Sequence, residues 1–96
     1  MTDTSYRILV VDDEPSITEF VEYALTREGY EADVVNSGED AFDLAGKNKY
    51  DMFILDIMLP GMDGYELCRR LRTTTAAPVL FLSARDTELD KVVGLE

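Results

Sequence analysis

At 96 residues and 46% hydrophobic content, the chain is sized for one globular domain with an ordinary apolar fraction, and a second functional domain is not expected. Twenty acidic against nine basic side chains give a net charge of −11, which repels phosphate backbones and anionic lipid heads, so neither nucleic-acid nor membrane binding is expected. With one cysteine, Cys68, and no histidine, an internal disulfide, a Cys/His zinc site and any Ser-His or Cys-His catalytic pair are excluded.

The longest apolar runs, at 8–11 and 79–82, fall far short of the roughly 20 residues a membrane span needs. Residues 1–7 hold no basic segment leading into a long apolar one, so no signal peptide is expected and a cytoplasmic location is. Residues 7–12 (RILVVD) form a β-branched apolar run that ends abruptly in acids, as in a strand buried on both faces of a parallel sheet. Pro15 and Ser16 then open a helix, with Ser16 and Glu19 at capping-box spacing and Ile17, Phe20, Val21, Ala24 and Leu25 on one face, closed by Gly29. Residues 30–35 read as a second strand, and residues 37–40 (SGED) open a second helix that turns Ala41, Leu44 and Ala45 inward before Gly46.

Residues 52–56 (MFILD) are a third apolar run ending in an acid, followed by the turn-rich loop 59–64 (LPGMDG). Asp63 and Glu66 cap a third helix with Leu67 and Leu71 inward, and Arg69, Arg70 and Arg72 complement the negative end of its dipole. After the small-residue connection 73–78 comes a fourth buried strand at 79–83. Thr87 and Asp90 then cap a last helix with Leu89, Val92 and Val93 inward. Strands alternating with helices imply right-handed crossovers and an α/β fold with a doubly wound parallel sheet.

In such sheets ligands sit beyond the carboxyl ends of the strands, where this chain places Asp12, Asp13, Asp56 and Ser83. If strands one and three are neighbours, three carboxylates converge and repel one another. A hard divalent cation relieves that repulsion. Mg²⁺ takes one or two carboxylates, waters and phosphate oxygens, so the cluster points to Mg²⁺ and a phosphoryl group. Singly, each acid is as well explained by capping or exposure, and Ser83 by ending a strand. Cys68 reads as a small core residue, and Met52, Met58 and Met62 as packing and loop filling.

The motifs ILVVDDEP (8–15), FILDIMLPGMDG (53–64) and PVLFLSA (78–84), in this order and on these strand ends, resemble the receiver domain of bacterial two-component response regulators. The resemblance covers essentially the whole chain. It implies the flavodoxin-like strand order 2-1-3-4, a sensor histidine kinase as partner and Asp56 as the phosphoacceptor that becomes an aspartyl phosphate. It further implies Mg²⁺ held directly by Asp13 and Asp56, by Asp12 through water and by the backbone carbonyl of Met58, with Ser83 as the phosphoryl-sensing hydroxyl. Residues 86–96 are similar to helix four of receivers joined to winged-helix DNA-binding domains, which implies a role in transcription regulation through an effector domain absent here.

The family has five βα units and this chain accounts for four, so strand and helix five, with the family lysine, are expected to be missing. The lysines present, Lys47, Lys49 and Lys91, fall after helix two and on helix four. Losing that cation removes electrostatic stabilisation of roughly 3–4 kcal/mol in comparable oxyanion sites, so phosphotransfer is expected to be slow or absent. An exposed edge at strand four would then template a homo-oligomer by pairing or element exchange.

The leading expectation is a phosphoacceptor signalling domain, not an enzyme, with at most weak self-phosphorylation and self-dephosphorylation. The alternative is a phosphorylation-incompetent fragment acting as a dimerising or domain-swapped structural module. An aspartyl-nucleophile phosphatase would need a general acid two residues after Asp56, where Met58 stands, and residues 12–15 lack the oxygen spacing and central glycine of a calcium loop.

Overall fold

Eight elements follow one another in the computed structural model, which describes residues 6–82 and 93–95: β1 (Arg7–Val11), α1 (Pro15–Arg27), β2 (Glu31–Val35), α2 (Gly38–Lys47), β3 (Met52–Asp56), α3 (Gly64–Leu71), β4 (Val79–Leu82) and β5 (Val93–Leu95). They build one sheet of order β2-β1-β3-β4-β5. Its first four strands are parallel, as expected, and β5 runs antiparallel to β4. Among the described residues there are three helices, each a crossover between parallel strands.

The two-residue period of the strands sorts their side chains between two cores. Leu9, Val11, Phe53, Leu55, Val79 and Phe81 point to one face, where Ala41 of α2 and Leu67, Cys68 and Leu71 of α3 close over them. Ile8, Val10 and Ile54 point to the other, packed by the partly buried Val21 and Leu25 of α1 with Val34, Met52, Leu80 and Leu82. The first face is the larger core because two helices cover it. β1 and β3 are buried on both faces along four of their five residues, which explains their unbroken apolar character.

Helix starts follow local chemistry with one departure. The Ser37 hydroxyl accepts from the Asp40 amide at the start of α2, and the Asp63 carboxylate accepts from the Glu66 amide at the start of α3. The expected Ser16–Glu19 box does not form. Glu14 is the N-cap of α1, without a side-chain cap, because Pro15 already supplies a first-turn dihedral and lacks an N–H to satisfy. Nor is the expected inner face of α1 reproduced in full. Thr18 is buried, with its hydroxyl on the Pro15 carbonyl, whereas Phe20 is 70% exposed and Ala24 is exposed. Gly29 stands just past α1 at φ +94°, a conformation that glycine adopts without Cβ strain.

Two expectations at the far edge are corrected. Val93 lies in β5 and not in a helix; the rest of the expected fourth helix, with Ser83 and Lys91, lies outside the described residues. The β4 edge expected to be open for a homo-oligomer is occupied, with Val79 opposite Leu95, Leu80 opposite Gly94 and Phe81 opposite Val93. The unpaired backbone groups of an edge strand are satisfied by whatever extended segment reaches them, and here a Val-Gly-Leu segment of the same chain does.

Candidate functional site

Parallel pairing sets Val11 level with Leu55, so the next residues on each chain, Asp12 and Asp56, leave the sheet side by side. Asp13 follows on the β1 side. One carboxylate oxygen from each of Asp12, Asp13 and Asp56 lies within 4.8 Å of the others. Asp12 is 3% exposed and Asp56 is 6% exposed, whereas Asp13 faces solvent. Each buried acid is steadied by a backbone amide two residues on. The Glu14 N–H donates to Asp12 Oδ1 at 2.9 Å, and the Met58 N–H donates to Asp56 Oδ1 at 3.2 Å.

Burial pushes the Asp12 carboxyl up from 3.8 to about 6; the carboxylates of Asp56, Asp13 and Glu14 add to the rise and the Glu14 amide opposes it. Asp56 is raised for the same leading reason, with Asp13 and Glu14 adding and the amides of Met58 and Ile57 opposing. Three acids drawn together this way carry excess negative charge in a half-buried notch. The donor set is all oxygen, which suits a hard cation such as Mg²⁺ rather than a thiophilic one.

The loop after β3 is held against this notch by close backbone approaches. A Cβ on Gly64 would stand only 2.4 Å from the Asp56 carbonyl oxygen and 2.9 Å from Ile57 Cα, and the Gly64 N–H donates to the Ile57 carbonyl at 3.1 Å. Gly61 turns the loop at φ +75°. On the outer side, a Cβ on Gly38 at the start of α2 would meet the Met62 carbonyl oxygen at 2.9 Å. The turn-rich reading of residues 59–64 therefore holds. Its last glycine also serves contact with the strand that carries Asp56.

Asp12, Asp13 and Asp56 are brought together as expected, and the Met58 amide is beside them. The Met58 side chain is 57% exposed. Ser83 lies outside the described residues. Of the lysines, Lys47 pairs with Asp43 at the end of α2 and Lys49 is exposed before β3, both at the amino edge of the sheet and away from the acids. Cys68 is buried in the larger core, as read from the sequence. One residue the sequence reading passed over is Asn36, whose side-chain amide donates to the Asp12 carbonyl at 2.8 Å. Only its place directly after a strand could have drawn notice.

Residues 8–96 match the response regulator receiver domain family. The response regulator protein TrrA from Thermotoga maritima, solved in complex with Mg²⁺ and BeF, is 41% identical; the match covers 84% of this chain and 71% of that one, with a TM-score of 0.79. The N-terminal domain of a response regulator receiver protein from Methanoculleus marisnigri is 39% identical, over 85% of this chain and 69% of that one, with a TM-score of 0.78. The chemotaxis response regulator CheY4 of Vibrio cholerae is 31% identical, over 92% of this chain and 76% of that one, with a TM-score of 0.82. Of a further solved match, a fusion with the yeast Spc42 coiled coil, the chain spans 60%. The same parallel order β2-β1-β3-β4 and a family match that begins in β1 and takes in both acid-bearing strand ends lead to one conclusion: the chain belongs to the response regulator receiver domain family.

Proposed function

We propose that this chain is a phosphoacceptor of a two-component pathway, taking a phosphoryl group from a sensor histidine kinase onto Asp56. The observation that carries the reading is the convergence of three carboxylates within 4.8 Å at the ends of neighbouring parallel strands, two of them buried. In this reading a carboxylate oxygen of Asp56 attacks phosphorus, the O–P bond forms as the N–P bond of the phosphohistidine breaks, and the departing imidazole nitrogen keeps the electron pair and is protonated. The residues that would hold Mg²⁺ are Asp13 and Asp56 directly, Asp12 through water and the Met58 backbone carbonyl. When bound, the cation supplies positive charge to the transferring phosphoryl oxygens. The Met58 N–H on Asp56 Oδ1 leaves the other oxygen of that carboxylate to act as nucleophile. Ser83 is the hydroxyl that senses the product.

Among the described residues, Lys47 pairs with Asp43 and Lys49 is exposed before β3, so neither faces the acid cluster. The winged-helix transcription-factor affiliation rests on residues 86–96 alone and belongs to the same proposal. The test is incubation with Mg²⁺ and phosphoramidate, a small donor with a P–N bond, followed by intact mass. A single phosphoryl adduct on the wild type and none on Asp56→Asn supports the reading; an adduct of equal yield on both overturns it.

A further inference from the structure

Asp13 is exposed, so packing does not fix where its carboxylate points; its backbone does. The structure holds that backbone from both sides. Downstream, the Glu14 N–H is tied to Asp12 Oδ1 at 2.9 Å. Upstream, the Asp12 N–H reaches the Val35 carbonyl at 3.3 Å, and the Asn36 side-chain N–H donates to the Asp12 carbonyl at 2.8 Å. That carbonyl shares one planar unit with the Asp13 nitrogen, so anchoring it fixes the plane from which the Asp13 side chain departs. Asn36 thus adds a rung to the β1–β2 ladder just past its end, across a separation of 24 residues.

We infer that Asn36 is a positioning residue of the metal site: by clamping the Asp12 carbonyl it holds Asp13 in register with Asp56, and so sets cation affinity from the β2–α2 connection. The inference rests on the reading of the acid cluster as an Mg²⁺ site. Removing outer partners of metal ligands typically lowers affinity by 10- to 100-fold, and an exposed partner such as Asn36 belongs at about the lower bound.

The test is calorimetric titration of Mg²⁺ alone into the full chain, with thermal unfolding in metal-free buffer beside it. Asn36→Ala is expected to bind Mg²⁺ about 10-fold more weakly while its unfolding midpoint stays within about 3 °C of wild type. It should also shift the Asp13 amide resonance. Asn36→Leu keeps the volume without the donor and carries the same expectation, standing in if the alanine variant does not fold. Asn36→Gln, which keeps an amide, should recover most of the affinity. Binding within about twofold of wild type in Asn36→Ala and Asn36→Leu overturns the positioning role. Failure of the wild type itself to bind Mg²⁺ overturns the metal-site reading instead, which separates the two.

Discussion

Asp12 has a carboxyl pushed from 3.8 to about 6 by burial and by its acidic neighbours, so its protonation is coupled to folding. Because the folded value is the higher one, the folded state holds more protons between about pH 4 and pH 6. The stabilisation is complete below the unfolded value and is lost as pH rises through about 6. Metal-free protein should therefore be more stable near pH 5 than near pH 7, by on the order of 1 kcal/mol and with a correspondingly higher melting temperature, and Asp12→Asn should flatten that dependence. A melting temperature that rises steadily from pH 5 to pH 7 would contradict this account of the cluster. Gly64 offers a second single-residue test. Its Cβ position is filled by the Asp56 carbonyl at 2.4 Å, so Gly64→Ala must displace the strand end. We expect a loss of about 2 kcal/mol or more in denaturant unfolding, with weaker Mg²⁺ binding.

At the scale of elements, what the sequence disclosed depended on whether the signal was local. The Asp63 cap of α3 was legible because its partner, the Glu66 amide, lies three residues on. Asp63→Ala should cost about 1 kcal/mol, read by urea unfolding. The Glu66 carboxylate turns outward instead and is held below its usual range by Arg70 and then Arg69. β3 was legible to the residue, since an apolar run stopped by an acid has few other readings. α1 was legible in its start, its end and its packed Val21 and Leu25, but not in Phe20 and Ala24, because periodicity alone does not say which edge of an apolar arc turns inward. The structure buries Thr18 and leaves Phe20 and Tyr23 out. β5 was missed because Val93 and its neighbours fit a helix stripe equally well, and pairing with β4 is a long-range event.

At the scale of the whole molecule, strand alternation places Leu9, Phe53 and Phe81 under α2 and α3 and Ile8 and Ile54 under α1, among the described residues. Phe53→Ala should therefore destabilise the fold by about 3–5 kcal/mol, whereas Phe20→Ala should change it by less than about 0.5 kcal/mol, both by denaturant unfolding. The acid cluster was legible at this scale because parallel pairing of two strands that each end in acid leaves the acids no other place to go. Asn36 and the close packing of Gly38 and Gly64 were not legible, since each depends on a register between distant segments that no local spacing encodes.

Borohydride reduction after treatment with phosphodonor and Mg²⁺ identifies which of the three clustered acids is the acceptor, proposed above to be Asp56. Reduction cleaves an acyl phosphate and leaves homoserine at the position that carried it, which peptide mapping identifies. Homoserine is expected at position 56 alone; homoserine at position 12 or 13, or at none of the three, would rule out Asp56 as the acceptor.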